Sequence, residues 1–399
     1  MVIADAQSPD YFETLENLRD IKTVFYEDSV SSIAHYLRNE YYDYMSNDCR
    51  LLEKNSKSGN FLGRKTYGSG CRESFKETWC GHTLADVALD VGLPVLEGIP
   101  FKRDGQRIVT FIHIIQDAVS FRDGDVYFGR VKIIPQRCKR NLAKSCPKPL
   151  TGIPRYKAVF TITQYWGNGF YHSTLEDLPR ISPYLGFLRQ NRHIRIHVPA
   201  KMIYFSLLGI DNSRLITEPV IHADILYMPA GGPCGNSPVF TTQVLAGVLT
   251  GAIDESHSDS TEADTIVLIK RSKRRWFADH DGILRMLRAR ASEFKLRVDV
   301  FADNPLPGID KTINIFNRAL VVIAPHGAGE ANLIFSQPGT LLIEGLCYDY
   351  ENKTNLCYRN MAQTLGLRYY GLIYPYQCMN ITVEQIERAL LEYLKQMFQ

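Results

Sequence analysis

The sequence lacks any apolar run of the roughly 18 to 20 residues that a membrane helix needs. It contains no C-x-x-C pair, which argues against a zinc ribbon or a thioredoxin-like redox site. Its net charge of +3 is too small to indicate a nucleic-acid-binding protein. The first residues are polar and acidic, without the basic start and apolar centre of a signal peptide. What is present is the composition of an ordinary globular protein, with 45% apolar and 22% charged residues in 399.

The cysteines and two sequons favour a protein of the secretory pathway. There are nine cysteines, and two N-x-T glycosylation acceptors, Asn352 and Asn380, lie close to the last three of them. We therefore expect residence in the lumen of the Golgi or endoplasmic reticulum, or secretion, with disulfides of unassigned connectivity. The odd count requires at least one thiol or a bond to another chain. Contact with a membrane would then require an N-terminal anchor that is absent from this sequence.

The alternation of apolar strands with amphipathic helices predicts an α/β protein. It is most regular over the last 135 residues, where right-handed crossovers predict a doubly wound parallel sheet. A glycine-rich connector and the acidic run of residues 254–264 separate this part from an earlier one. The predicted regions are 1–105, of unclear role, 106–235, an N-terminal domain, 236–264, a helix and acidic linker, and 265–399, a C-terminal domain whose last helix could pack back on the N-terminal domain.

The early part of the N-terminal domain reads as strands joined by a tight turn. Between residues 107 and 135 three apolar strands are predicted, with Arg122 to Asp125 as a hairpin turn. Asp123 and Asp125 also match the paired carboxylates with which many sugar transferases hold a metal ion. An Asp-Gly pair between strands is far more often only a turn, and we favour that interpretation.

A glycine-rich turn after a buried strand is the best anion site in the chain. Leu320 to Ala324 predicts a strand buried on both faces, and His326-Gly327-Ala328-Gly329 follows it. Residues 329–335 predict a helix, whose first N–H groups would face the turn and attract a phosphate. Thr340 to Ile343 predicts the next strand, with Glu344 at its carboxyl end. The spacing is not that of the dinucleotide fingerprint, so that motif is not assigned.

A basic run stands at the carboxyl end of another predicted strand. Thr265 to Ile269 is apolar, and five of the next six residues, Lys270 to Arg275, are basic. Parallel strands bring their carboxyl ends to one sheet edge, so these cations and the glycine-rich turn should converge there. A solvated loop or a nucleic-acid contact is the ordinary interpretation of such a run, but this position favours a diphosphate.

A second glycine-rich turn precedes a candidate acid/base pair. After the strand of residues 157–164, the segment 170–188 predicts a helix that carries His172, Glu176 and Arg180 at intervals of four. A carboxylate four residues from a histidine raises its basicity and fixes its orientation. A surface helix with incidental polar neighbours is the alternative. Pro179 is expected to kink this helix before Arg180.

Three motifs resemble glycosyltransferase family 61, which includes xylosyltransferases and N-acetylglucosaminyltransferases. They are Tyr171-His172 with Glu176 and Leu178-Pro179-Arg180; Arg271-Ser272-Lys273 with Arg275; and His326 to Gly329 with Asn332, Phe335, Pro338-Gly339 and Ile343-Glu344. The resemblance covers residues from about 108 to the C-terminus. Three positions depart from the family pattern: Ser173 replaces a tryptophan, Glu330 an apolar residue and Asp279 an asparagine.

The resemblance implies a GT-B architecture, in which two Rossmann-like domains face each other across a cleft. It also implies inverting transfer from a UDP-sugar to a glycan or glycoprotein hydroxyl without a bound metal ion or other cofactor, and no nucleic-acid partner. The alternative is a catalytically inactive module that binds a glycan or a protein, which Ser173 and Glu330 favour.

The expected site roles follow from the motifs and the chemistry. The catalytic base is Glu176 or His172, and the two stay open. The donor diphosphate is expected to meet Arg271, Lys273, Arg275, His326, Gly327, Ala328 and Gly329. Arg180 and Asn332 are further substrate-binding candidates, and Glu344 is expected to accept ribose hydroxyls.

Overall fold

The structure, a computed structural model, divides its described residues into two units, one with those up to Ile253 and one with those from Asp254. The residues that it describes are 2–5, 21–27, 101–103, 106–129, 131–135, 152–200, 204–232, 235, 239–256, 263–346, 355–373 and 380–398. Of the described helices, none has the length and apolarity needed to cross a membrane. Cys357 is buried, while the other eight cysteines and Asn352 lie outside the described residues; Asn380 is exposed.

The first unit is built on a ten-stranded mixed sheet. Its strands are β1 Val2–Asp5, β2 Ile21–Glu27, β3 Phe101–Arg103, β4 Gln106–Phe121, β5 Val126–Phe128, β6 Val131–Ile134, β7 Arg155–Thr161, β8 Arg195–His197, β9 Leu215–Ile216 and β10 Val220–Pro229. The long strand β4 pairs antiparallel with β10, and β10, β7, β8 and β9 follow as parallel neighbours. Among the described strands, β10, β7, β8 and β9 form a parallel run, and β1 and β6 also pair parallel.

Two local predictions for the first unit need correction. The apolar residues between 107 and 121 form one strand, β4, rather than two, because β10 pairs with β4 on both sides of Asp117, the single residue there with a positive φ. The acidic linker also starts later than predicted, since helix α4, which spans Val239–Ser256, includes its first three residues. Residues 257–262 of that linker lie outside the described part of the chain.

The predicted Asp123 turn is confirmed. Residues 122–124 form the turn between β4 and β5, which pair antiparallel. Oδ1 of Asp123 accepts the N–H of Asp125 at 3.3 Å, and the Asp125 carboxylate pairs with Lys132 at 2.8 Å. Both carboxylates thus have structural partners, which accounts for them without a metal ion.

The helical segment after β7 changes its winding along its length. It runs as α1, Phe170–His172, then a π turn over Ser173–Asp177, a 3-10 helix over Leu178–Tyr184, and α2, Leu185–Gln190. The sequence predicts one regular helix here; Pro179 and Pro183 account for the 3-10 part because neither residue has an N–H for the α pattern. The other helical segments of this unit are α3, Tyr204–Leu207, and a 3-10 turn, Asn212–Arg214.

The second unit contains the predicted parallel sheet. Its strands are β11 Thr265–Lys270, β12 Arg297–Ala302, β13 Ala319–Pro325, β14 Leu341–Leu346 and β15 Arg368–Ile373, in the order β12-β11-β13-β14-β15 with every pair parallel. The helices are α5 His280–Glu293, α6 Ile309–Asn317, α7 Cys357–Thr364 and α8 Val383–Phe398. The order reverses between β11 and β13, and ligands of such sheets bind outside the carboxyl ends at this switch point.

Two elements of the second unit differ from the sequence prediction. The segment after the glycine-rich turn, Ala328–Phe335, is a 3-10 helix rather than an α-helix. Strand β14 continues two residues past Glu344, so this carboxylate lies within a fully buried strand instead of at its end. Strand β13 is buried along its whole length, as the apolar run from residue 320 predicts. Helix α8 packs on its own unit, where the Tyr393 hydroxyl donates to the Gly339 carbonyl at 3.3 Å.

Candidate functional site

In the first unit, a histidine and a buried carboxylate face each other across one helical turn. The Nδ1 of His172 lies 2.9 Å from Oε2 of Glu176. The Glu176 side chain has no exposed surface, whereas 26% of the His172 side chain is exposed. Because a carboxylate only accepts hydrogen bonds, Nδ1 carries the proton and Nε2 is the basic nitrogen. The predicted proximity of these two residues is confirmed.

The Glu176 carboxylate is held from two further directions. Its Oε2 also accepts a hydrogen bond from the Gln164 side-chain amide at 3.0 Å, and its Oε1 accepts the N–H of Gly235 at 2.7 Å. Gln164 follows β7 and Gly235 follows β10, so two neighbouring parallel strands fix this side chain. Sequence reasoning missed both partners, because only the pairing of β7 with β10 brings them together.

Arg180, the third member of the predicted row, points elsewhere. Its guanidinium donates to the backbone carbonyls of Thr163, Pro229 and Ala230 at 3.2, 3.0 and 3.1 Å. The change from π to 3-10 winding alters the phase of the helix after Glu176, so an interval of four no longer keeps a common face. These bonds join the helical segment to β10 and to the loop after β7.

Asp177, the last residue of the π turn, was not singled out from the sequence. It is 1% exposed, and burial raises its pKa well above the ordinary value, with the Arg180 guanidinium acting in the opposite direction and Glu176 reinforcing the rise. Such a carboxyl favours the neutral form. The π turn therefore places a second buried acid next to Glu176 in the chain.

In the second unit, the basic run and the glycine-rich turn meet as predicted. They follow the neighbouring strands β11 and β13, and Nη1 of Arg271 donates to the carbonyl oxygen of His326 at 2.6 Å. A Cβ on Gly327 would stand 1.5 Å from that nitrogen, so the glycine lets Arg271 lie directly on the backbone. Burial, followed by the nearby Arg275 charge, lowers the pKa of Arg271.

The other members of the basic run have a different environment. Lys273 and Arg275 are exposed, and Arg275 has a positive φ of 53°. The Arg275 charge lies close enough to Arg271 to lower its pKa, and both Lys273 and Arg275 follow the carboxyl end of β11. Asp279 caps α5, where its Oδ1 accepts the N–H of Gly282 at 2.8 Å, as expected for either Asp or Asn at that position.

Glu330 turns back onto the glycine-rich turn. Its Oε2 accepts the N–H of Gly327 at 2.7 Å, whereas its Oε1 has no hydrogen-bond partner among the described residues. The side chain is fully buried, and burial, reinforced by the Glu344 carboxylate, raises its pKa well above the ordinary value. A carboxyl oxygen thus occupies the first N–H group that the sequence assigned to a phosphate.

Glu344 has partners that differ from the expected ribose hydroxyls. Its Oε1 lies 2.5 Å from Nδ1 of His326, and its Oε2 accepts the Tyr369 hydroxyl at 2.6 Å. The carboxylate is fully buried, so it orients His326 rather than reaching a ligand directly. His326 itself is 4% exposed and packs against the Tyr358 ring, with a centroid distance of 5.2 Å.

Three of these buried side chains also form a group that could hold a metal ion. One ligand atom from each of His326, Glu330 and Glu344 lies within 4.8 Å of the others. Their hydrogen bonds to each other and to Tyr369 already give His326 and Glu344 a structural role.

Asn332 is the remaining predicted site residue. Its side chain donates to the Gly329 carbonyl at 2.9 Å and so closes the start of the 3-10 helix.

A comparison with family models agrees with the motifs. Residues 170–343 match the model described as Glycosyltransferase 61. This segment begins at α1, just before His172, and ends within β14 after the glycine-rich turn. The resemblance to that family is confirmed over these residues, whereas the likeness to xylosyl- or N-acetylglucosaminyltransferases stays a prediction. A comparison with curated proteins finds no match.

Proposed function

The match of residues 170–343 supports a glycosyltransferase of family 61, and on that premise we propose that the protein transfers a sugar from a UDP-sugar to a glycan or glycoprotein hydroxyl with inversion. Xylose or N-acetylglucosamine is the proposed sugar. The observation that supports catalysis best is the His172–Glu176 contact, because a partly exposed imidazole on a buried carboxylate is the arrangement of a general base.

We assign the base to His172 and an orienting role to Glu176. Both oxygens of Glu176 accept hydrogen bonds within the protein, and its side chain has no exposed surface through which to meet an acceptor. In the proposed step, the acceptor hydroxyl gives its proton to Nε2 of His172 while its oxygen attacks the anomeric carbon. The bond from that carbon to the diphosphate breaks, and its electron pair leaves with UDP.

The leaving diphosphate is assigned to the switch point of the second unit. Arg271, which follows β11, and the turn from Gly327 to Gly329, which follows β13, stand at the edge where ligands of doubly wound sheets bind. Lys273 and Arg275 would add charge from more exposed positions. A GT-B architecture and metal-independent transfer, which the resemblance implies, belong to this proposal; chelation by EDTA is therefore expected to leave activity unchanged.

An inactive binding module is the second candidate, and Glu330 favours it. Its bond to the Gly327 N–H takes a position that a phosphate oxygen would use, and one N–H cannot donate a full hydrogen bond to both acceptors. A module of this kind would bind a glycan or protein through the first unit and would bind no nucleotide. UDP binding measured by calorimetry separates the two candidates.

Donor binding and transfer can be tested together. A panel of UDP-sugars is screened for thermal stabilisation, since a ligand at about 100 times its dissociation constant adds about 2.7 kcal/mol to the free energy of unfolding. The stabilising nucleotide sugar is then supplied with glycoprotein acceptors, and transfer is followed by mass spectrometry. Failure of every UDP-sugar to stabilise the protein, with no hydrolysis, would contradict the proposed function.

A further inference from the structure

Three exposed aromatic rings stand together immediately before His172. Tyr165, Trp166 and Phe170 are 43%, 47% and 39% exposed. They lie within six residues: Tyr165 and Trp166 are in the turn after β7, and Phe170 is the first residue of α1. The described part of the chain has eight large exposed hydrophobic side chains, and three of them fall within these six residues. Such a concentration indicates a binding surface, because exposed apolar side chains are normally scattered.

The Trp166 ring packs next to the ring of His172, the proposed base. It stacks beside the His172 ring at a centroid distance of 6.3 Å and an interplanar angle of 27°. Tyr165 meets the edge of the Trp166 ring at 4.7 Å. A ligand that stacks on Trp166 is therefore next to the imidazole that would take its proton.

The turn that carries these rings is held by its own backbone. The N–H of Gly169 donates to the Trp166 carbonyl at 2.8 Å, and the Ser173 hydroxyl donates to the Gly169 carbonyl at 2.7 Å. Gly167 packs against Pro199, which a Cβ at position 167 would approach to 2.2 Å. Phe170 meets the buried Tyr204 ring edge-on at 6.1 Å. Rings on a turn fixed in this way need little ordering when a ligand binds.

We propose that Tyr165, Trp166 and Phe170 form an acceptor subsite that stacks the pyranose rings of a glycan. A pyranose has an apolar C–H face that packs on an aromatic ring and hydroxyls at its rim; the partly exposed His172 beside Trp166 and the exposed Asn168 of the same turn are candidates to meet such hydroxyls. Three aromatic residues are far fewer than the roughly 20 to 30 residues that each partner contributes to a stable protein interface. The acceptor is therefore a sugar hydroxyl rather than a serine or threonine of a bare peptide.

The subsite rests on the proposed function, so the donor site and the acceptor subsite are tested by two separate measurements whose negative results can be told apart. UDP binding by calorimetry tests the donor site, whereas glycan binding by saturation-transfer NMR tests the subsite without any transfer. The probes are free oligosaccharides built on mannose, xylose and N-acetylglucosamine, with an unglycosylated serine/threonine peptide as the contrasting arm. The variants are Trp166→Ala, Trp166→Phe and Tyr165→Ala, with Phe398→Ala as the matched exposed aromatic elsewhere, 53% exposed in α8.

We expect at least one oligosaccharide to bind the wild-type protein, and its dissociation constant to rise at least tenfold in Trp166→Ala. Trp166→Phe should restore most of the affinity, Phe398→Ala should leave it unchanged, and UDP affinity should be the same in all variants. The subsite is overturned if no oligosaccharide binds, if Trp166→Ala binds as well as wild type, if the peptide alone binds, or if Trp166→Ala weakens UDP instead. Absence of UDP binding with intact glycan binding would overturn the proposed function alone.

Discussion

Nδ1 of His172 lies 2.9 Å from Oε2 of Glu176, and this contact joins a partly exposed imidazole to a carboxylate with no exposed surface. The sequence alone left open which of the two residues is the base, and this difference in exposure favours His172. An acceptor can approach the imidazole, whereas the carboxylate is surrounded by the protein groups that bind it. Glu176 can thus act through His172, by fixing its tautomer and by stabilising the imidazolium.

The first prediction concerns these two roles. His172→Ala should lower kcat by about 100-fold to 10,000-fold, the usual contribution of a general base. Glu176→Gln should have a smaller effect and should move the acidic limb of the pH–rate profile to lower pH, because loss of the carboxylate charge makes the imidazolium less stable. Steady-state transfer rates across pH provide the measurement. UDP affinity serves as the control and should change by less than a few-fold; an unshifted profile with wild-type rates in Glu176→Gln would remove Glu176 from this role.

The second prediction concerns the cation that packs on Gly327. Arg271→Ala should weaken UDP binding by about tenfold or more, since a charge-assisted hydrogen bond contributes about 1.5 to 3 kcal/mol. Arg274→Ala is the matched control, because Arg274 belongs to the same basic run but is exposed and stands outside the family motif. Calorimetry with UDP gives both values. Equal affinities in the two variants would contradict the assignment of Arg271 to the diphosphate.

The third prediction concerns the carboxyl group that occupies the Gly327 N–H. Glu330→Leu releases this N–H for a phosphate oxygen and should strengthen UDP binding by about tenfold. Glu330→Gln keeps an oxygen that can accept the same N–H, so its UDP affinity should stay closer to wild type. Calorimetry at one pH compares the three proteins. If Glu330→Leu binds UDP no better than wild type, Glu330 does not compete with the donor.

The fourth prediction concerns the pH dependence of folding in the first unit. Burial lowers the pKa of His197 to about 4, whereas an unfolded histidine titrates near 6.5. The unfolded state alone binds this proton between those values, so the free energy of unfolding falls as the pH falls through that window, by about 1.4 kcal/mol per pH unit. Above pH 6.5 this contribution is fully present.

The test compares urea unfolding of the wild-type protein and His197→Gln at a series of pH values. Nε2 of His197 donates to the Glu218 carbonyl at 2.9 Å, and its Nδ1 accepts the Ser120 hydroxyl at 3.1 Å, so the variant will lose some stability at every pH. Below pH 6.5, the free energy of unfolding of His197→Gln should change less with pH than that of the wild type. Asp177, with a raised pKa, contributes a slope of the opposite sign in both proteins, and the difference isolates His197. Parallel slopes would contradict the prediction.

The second unit was the part that the sequence predicted best, for a physical reason. Strands that are buried on both faces appear as continuous apolar runs, and parallel crossovers admit few topologies, so β11 and β13 could be placed side by side with their carboxyl ends together. The contact of Arg271 with the His326 carbonyl confirms that prediction. The environment of Glu344 could not be predicted in the same way, because the length of β14 depends on pairing with β15 through residue 346.

The first unit was harder to predict because its sheet joins segments that are far apart in sequence. The antiparallel pairing of β4 with β10 leaves no local periodic signal, so the mixed sheet was not predicted. The proximity of His172 and Glu176 needs one helical turn and was predictable, whereas Gln164 and Gly235 reach Glu176 only through tertiary structure. The prediction that Arg180 shares a helix face with His172 and Glu176 was wrong, because it assumed regular α-helical spacing and the chain forms a π turn there instead.

The hydrogen bond from Gly235 to Oε1 of Glu176 gives the site an intrinsic spectroscopic reporter. An amide proton that points at a carboxylate resonates downfield, and its chemical shift changes when the charge of that carboxylate or of a bonded imidazole changes. Gly235 is 59 residues from Glu176 in the chain, so its resonance also shows whether β10 and the π turn are assembled. The position of this single peak in an isotope-labelled sample would therefore report on the Gly235–Glu176 contact without any substrate or substitution.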